Sequence, residues 1–266
     1  MNNFALGRYM PLDSLVHKMD PRSKIMIMLF IMVAIFIPAG IIGYAIIALF
    51  VGVALVLSKL SVGYALKAMK PMLFMMVFLL VINLFVLKTG TKLVDFGWFS
   101  IYSGAIYQTL YIVVRLLFMV IITTILTATT KPLDLTLGIE KLLKPFEKIG
   151  VPAHIIAMMI SIALRFIPTL IEETQRIMNA QASRGVDLEN GTLKEKITAI
   201  LSLIVPLFVS SFERADQLAN AMEARGYNPN KTRTRYKVLK MQGIDYVSMI
   251  MGVTVLITCI GVSIFL

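Results

Sequence analysis

From Ile25 to Leu57 the chain carries no charged residue and is almost continuously apolar, broken chiefly at Pro38, Gly40 and Gly43. A run of that length has no place inside an ordinary soluble domain, because about 20 apolar residues already cross the hydrocarbon of a bilayer. The breakers divide it into two helices, near 25–38 and 41–57, joined by a tight turn. The first is short for a full span, so its ends belong near the headgroups or against neighbouring helices. Composition agrees: 58% of residues are hydrophobic and the mean hydropathy is +0.83, against roughly 45–50% apolar usage in soluble domains.

Three further spans follow from the same reasoning. Met72 to Leu87 begins after Pro71, whose missing N–H is harmless in a first turn, Ala105 to Ala128 forms a fourth, and Ile244 to Leu266 a fifth. The expected fold is an all-α membrane protein of about five transmembrane helices plus a cytoplasmic domain of long amphipathic helices. The apolar stretch after the polar N-terminal segment far exceeds a signal-peptide core, so no cleavable signal is expected. Cys259 permits no intrachain disulfide, and His17 and His154 alone make no metal cluster.

The 26 Lys and Arg against 15 Asp and Glu leave a net charge of +11. Their placement orients the chain. Arg8, Lys18, Arg22 and Lys24 precede the first span, and Lys59, Lys67 and Lys70 lie between the second and third; the opposite side holds only Lys88 and Lys92 before the fourth. By the positive-inside rule the N-terminus is cytoplasmic. The expected organisation is a cytoplasmic segment at 1–24, four spans within 25–130, a cytoplasmic block at 131–243 and a final span at 244–266. The block holds 16 basic and 11 acidic residues, most of the charge in the chain.

Two runs inside the block, Ile155 to Ile171 and Ile197 to Phe212, are near spanning length, and hydropathy alone does not place them. Arg165 sits within the first, where an arginine at mid-span costs about 2.5–3.5 kcal/mol on the lenient insertion scale. Dense charge flanks the second. Both are read as parts of long amphipathic helices at or below the membrane surface. Ahead of them, Leu135, Ile139, Leu142, Leu143, Phe146 and Ile149 share one helical face opposite Glu140, Lys141, Lys144, Glu147 and Lys148, with a bend at Pro145. That stripe fits either lipid or a partner's groove.

The most informative feature is a repeat at an offset of 41 residues. Asn179-Ala180-Gln181-Ala182-Ser183-Arg184-Gly185 aligns with Asn220-Ala221-Met222-Glu223-Ala224-Arg225-Gly226, and Glu172 aligns with Glu213. The helices are expected from about Ala153 to Ser183 and from after Asn190-Gly191-Thr192 to Ala224. Helix-stopping residues follow each copy: Val186-Asp187 and Asn190-Gly191 in one, Tyr227-Asn228-Pro229 in the other. A glycine just past a helix end adopts the left-handed conformation without a Cβ penalty, so the arginine before it projects from the tip. Arginine near a helix C-terminus is also ordinary capping, favoured by the macrodipole. Two copies with matching Asn-Ala spacing point beyond capping, to a shared docking role for a planar fork suited to a carboxylate.

These paired motifs, set between a four-helix membrane start and a final span, resemble the T components (EcfT) of energy-coupling factor transporters, over essentially the whole chain. Ser183 departs from the alanine of the motif by one small hydroxyl. The resemblance implies a scaffold joining two ABC ATPase subunits (EcfA and EcfA′ type) to a membrane-embedded S component that binds a vitamin or other micronutrient. It implies that Arg184 and Arg225 anchor the ATPases, with Ala182, Ser183, Gly185, Ala224 and Gly226 shaping the tips. It also implies contact of Leu135, Ile139, Leu142, Leu143 and Phe146 with the S component, no cofactor bound directly, ATP and Mg²⁺ handled by the partners, and a bacterial cell membrane location.

Other function classes fit less well. The chain holds no Gly-x-Ser-x-Gly elbow, His-Glu-x-x-His pair or P-loop, which argues against a membrane enzyme. A self-sufficient secondary transporter or channel would need ionisable groups at mid-membrane, where Arg115 is the main candidate. The basic run from Lys231 to Lys240 directly precedes the last span, so it reads as a lipid-headgroup contact rather than a nucleic-acid site. Eighteen methionines suit adaptable surfaces but are equally ordinary in a lipid-facing chain.

Overall fold

The computed structural model describes residues 9–86, 89–95, 100–186, 192–228 and 238–265. Asp187, Asn190, Gly191, Pro229 and most of the basic run from Lys231 to Lys240 lie outside the described residues. The chain is helical: α1 (Leu15–Lys18), α2 (Pro21–Phe36), α3 (Gly40–Ser58), α4 (Val62–Met69), α5 (Leu73–Val86), α6 (Ser103–Thr129), α7 (Pro132–Leu143), α8 (Ala153–Ser183), α9 (Leu193–Ala224) and α10 (Gly243–Phe265). A small antiparallel pair, β1 (Lys92–Asp95) and β2 (Ser100–Tyr102), lies between α5 and α6 and has no counterpart in the sequence reading.

The chain forms two compact units, one of residues 1–138 with 239–266 and one of residues 139–238. In the first, α2 is the central helix, packed on α6 and α10. It begins where Asp20 accepts the Arg22 N–H and Pro21 opens the first turn. Ile31, Ala34 and Ile35 of α2 are fully buried with Ile47 and Val51 of α3, Phe118 and Ile122 of α6 and Cys259 of α10. By contrast, most of α5 is exposed, Phe74 at 82% and Phe85 at 63%, and a side-chain bond from Asn83 to Thr109 on α6 (3.1 Å) ties it in.

At one end of this unit lies a buried polar cluster. Asp245, at the start of α10, is completely buried. Its Oδ1 accepts the Asp20 N–H (2.8 Å) and the Ser23 hydroxyl (2.7 Å), and its Oδ2 accepts the Gln242 N–H (2.7 Å). Asp20 in turn pairs with the Arg22 guanidinium (2.9 Å). The Lys24 ammonium donates to the Thr129 carbonyl (3.0 Å) and the Thr130 hydroxyl (3.2 Å) at the end of α6. Asp20 and Arg22 pair as ions, whereas Asp245 and Lys24 are held by neutral donors and acceptors, so each buried charge is hydrogen-bonded.

Among the described residues five helices are long and apolar enough to cross a membrane: α3, α6, α8, α9 and α10. Three of them, α3, α6 and α10, are among the expected spans. The other two expected spans are shorter helices than a crossing requires, α2 with 16 residues and α5 with 14, or about 24 and 21 Å at the usual rise against a hydrocarbon thickness of about 30 Å. In their place α8 and α9 meet the length and composition criteria.

In the second unit α8 and α9 lie side by side. Tyr227 Oη meets Met158 Sδ (3.0 Å), Arg214 meets Glu173 (3.3 Å), and Gln181 Nε2 donates to the Ser202 carbonyl (3.5 Å). Ascending positions on one helix face descending positions on the other, so the two run antiparallel. Between Met158, Ile162, Phe166 and Leu170 of α8 and Ala215, Leu218 and Met222 of α9 lies a groove of about 330 Å³. The apolar half of each helix is therefore matched with the polar half of its neighbour.

Candidate docking site

Each arginine tip is built by the same backbone device. In the first copy the Gly185 N–H bonds the Ala182 carbonyl (3.0 Å) and the Val186 N–H reaches back to Gln181 (3.0 Å); in the second, Gly226 bonds Glu223 (2.8 Å) and Tyr227 bonds Met222 (2.9 Å). These are paired Schellman closures, with arginine at the C-cap and glycine beyond it in the left-handed region. Gly185 has φ +83° and Gly226 φ +68°, and a Cβ at either would meet nothing within 4 Å. Glycine is needed there for backbone conformation and not for space.

The likeness extends one turn back. Gln175 donates to the Asn179 side chain (3.0 Å) and Asn220 donates to Asp216 (3.2 Å), at equivalent positions of the two copies. Ser183 turns its hydroxyl onto the Asn179 carbonyl (3.0 Å), so its polar atom is satisfied within the helix and the tip surface stays close to that of alanine. A capping box starts α9: Thr192 accepts the Glu195 N–H and Glu195 accepts the Thr192 N–H (2.8 Å).

Ala182, Ser183, Arg184 and Gly185 are all exposed, as are Ala224, Arg225 and Gly226. Among the described residues neither Arg184 nor Arg225 makes an ion pair or a side-chain hydrogen bond. Each exposed fork carries five donors in a fixed plane. Because α8 and α9 are antiparallel, the tips point away from each other from opposite ends of the pair, roughly 40 Å apart by helix rise.

The leucine stripe is placed differently from its periodicity. Helix α7 ends at Leu143, and a 3₁₀ segment over Lys144–Ile149 replaces the bent helix expected around Pro145. Thr136 and Glu140 are the buried positions of this region, and Gly138 lies against Pro21 and Ile25. Leu135, Ile139, Leu142 and Leu143 remain half-buried and Phe146 half-exposed. The stripe is thus only partly open, with Phe146, the most exposed of these five, in the 3₁₀ segment.

Arg115 is held within the first unit. Its Nε donates to Tyr44 Oη (3.2 Å), and its guanidinium lies 5.4 Å from the centre of the Phe36 ring. The Tyr44 hydroxyl in turn donates a hydrogen bond to the Ile35 carbonyl (3.2 Å). This is a structural clamp between α2, α3 and α6, and it gives no sign of a conduction path. His154 meets Glu140 (3.3 Å), and among the described residues no cluster of His, Cys, Asp and Glu could hold a metal.

Comparison with known proteins places this arrangement. A family model described as CbiQ, cobalt transport protein, matches residues 13–236. The energy-coupling factor transporter transmembrane protein EcfT of Macrococcus caseolyticus is 44% identical over 250 residues, covering 94% of each chain. The proteins of that name from Bacillus subtilis and Brevibacillus brevis are 40% and 42% identical, over 92% and 98% of each chain. The tips and the long helices that carry them all lie within the matched region. The chain belongs to the EcfT family, the non-catalytic transmembrane coupling subunits of energy-coupling factor transporters.

Proposed function

We propose that the chain couples two ABC ATPases to a membrane-embedded S component, with Arg184 anchoring one ATPase and Arg225 the other. The observation that carries this reading is the pair of identically capped, exposed arginine tips at opposite ends of one helix pair. ATP and Mg²⁺ belong to the ATPases, and the substrate, a vitamin or other micronutrient, to the S component. The stripe of Leu135, Ile139, Leu142, Leu143 and Phe146 is the surface we assign to the S component. Closure of the ATPases on ATP would shift the tips, and the helix pair would carry that shift to the S component, which is coupling through a two-state rigid element.

The pairing of α8 with α9 supports a cytoplasmic site for both tips. Stood upright as a hairpin, the pair would put Arg184 and Arg225 on opposite sides of the membrane. It would also bring Glu172, Glu173, Glu213 and Arg214 near mid-bilayer, at about 2.5–3.5 kcal/mol for each such charge. At 31 and 32 residues, about 46–48 Å, the helices also exceed the bilayer core. Laid along the cytoplasmic face of a bacterial plasma membrane, with the N-terminus inside, they meet none of these costs.

The test is charge reversal in the assembled transporter. Arg184→Glu and Arg225→Glu are each expected to lose one ATPase on copurification, and the double variant both, with uptake abolished; an intact complex with normal uptake overturns the reading. Topology has a separate check. A cysteine introduced at Asn190 and readily labelled from outside intact cells would refute a cytoplasmic helix pair.

A further inference from the structure

The 41-residue repeat and the antiparallel pairing together define a pseudo-twofold axis, which carries each position of α8 onto its equivalent in α9. Gln181 meets Ser202; its counterparts Met222 and Ser161 lie at the other end, where Met222 lines the groove with Ile162. At one place only must a position face its own repeat equivalent, the level of the axis itself. Glu173 and Arg214 are 41 residues apart, and they face each other at 3.3 Å.

A strict repeat would put identical residues at that level, and identical charges would repel. The two copies differ there in the one way that turns self-pairing into attraction, while the neighbouring pair Glu172 and Glu213 is identical in both. Arg214 is further steadied by Ser210 (3.4 Å), and Glu173 by Arg176 (3.7 Å) on its own helix. The site is half-exposed, with side-chain exposures of 20% for Glu173 and 32% for Arg214, so the pair adds little to folding stability. Polar contacts of this kind are best known for fixing register. The lever geometry matches: Arg184 and Arg225 each lie 11 positions beyond their member of the pair, about 16 Å along equal arms.

We propose that the Glu173–Arg214 ion pair is the pivot of the coupling helices, holding their register so that displacement of one arginine tip is delivered as an equal and opposite displacement of the other. Both residues are positioning residues in this role. The inference rests on the docking reading for its use in transport, but the pivot itself is a property of the helix pair.

The experiment measures the spread of tip-to-tip distances. Spin labels at Ala180 and Ala221, which are exposed and equivalent in the two copies, are introduced in a Cys259→Ser background, with the chain alone and in the full transporter in lipid nanodiscs. The original pair is expected to give a narrow distribution that shifts with ATP. Glu173→Gln and Arg214→Met should each at least double its width and cut uptake per ATP hydrolysed about tenfold, with both ATPases still copurifying. The swap Glu173→Arg with Arg214→Glu should restore the narrow distribution and at least half the coupling, since Arg176 is 78% exposed and free to turn aside from a new neighbour.

Single variants with unchanged width and coupling overturn the pivot, as does a swap no better than either single. Loss of both ATPases from the unaltered chain would instead refute the docking reading. The width measured on the chain alone then still decides the pivot.

Discussion

In the first unit Ile31, Ala34, Ile35, Ile47 and Asp245 are wholly or almost wholly out of solvent, whereas along the whole of α8 and α9 only Ala153, Ala157 and Ala199 are buried. One region has a buried core of its own beside an exposed α5, and its buried polar groups are held by hydrogen bonds. The other touches itself at a few levels and leaves Ile197, Leu201, Ile204, Val205 and Phe208 of α9 exposed. A continuous apolar surface of that kind marks an interface with lipid or partner. The difference separates a unit with a buried core from a helix pair that keeps almost none of its side chains out of solvent.

The comparison breaks most visibly at Asp245. Replacing it with alanine leaves the Asp20 N–H, the Ser23 hydroxyl and the Gln242 N–H without their acceptor, for an expected loss of about 3–5 kcal/mol. Thermal unfolding in detergent micelles checks this, and a loss below about 1 kcal/mol would mean that the first unit does not depend on its polar cluster. Next come Gly185→Ala and Gly226→Ala. A Cβ in the left-handed region costs about 1–2 kcal/mol, confined to the tip, so retention of the matching ATPase should fall about tenfold while global unfolding is unchanged.

A smaller effect is expected at the start of α9. The Thr192 N–H and hydroxyl bonded to Glu195 hold its carboxyl below the usual carboxylate range. A lowered value means that the cap is complete above the ordinary glutamate range, about pH 4.3, and is lost as pH falls below it. Hydrogen exchange at the first amides of α9 should accelerate below about pH 4, beyond its intrinsic pH dependence, and Glu195→Gln should remove that excess. The smallest effect is at Ser183. With its hydroxyl bonded back to Asn179, Ser183→Ala should change ATPase retention less than twofold by copurification, and a larger loss would show that the hydroxyl faces a partner.

Much of this architecture is legible along the chain because its signals are local. The ends of α8 and α9 follow from Pro152, Thr192 and the two Arg-Gly closures, and α3, α6 and α10 fall close to the expected spans because uninterrupted apolar runs leave few alternatives. The arginine tips were visible because a repeat brings out a motif that is ordinary when single. The buried cluster was not, since Asp20 and Asp245 are 225 residues apart and a single aspartate beside a proline reads only as a helix start. The β1–β2 pair is too short for alternation to show. In α7 the periodicity identifies an apolar stripe correctly as a pattern, but Gly138, at the flank of that stripe, is where Pro21 makes its close approach. The pivot was hidden for a different reason: Glu173 and Arg214 do not resemble each other, so an alignment of the copies passes over the pair that only the antiparallel geometry brings together.

The Asp245 cluster also sets a timetable. The first unit is discontinuous in sequence, with about 100 residues of the second unit inserted before α10. At roughly 5–20 residues per second of synthesis, α2 waits about 5–20 s after the first unit's leading segment is made before the Asp245 carboxylate that anchors its first turn emerges. During that interval the Asp20 N–H and the Ser23 hydroxyl have no Asp245 to receive them. The helix pair is therefore translated while its platform is still incomplete, and arrival of α10 is the event that closes the platform.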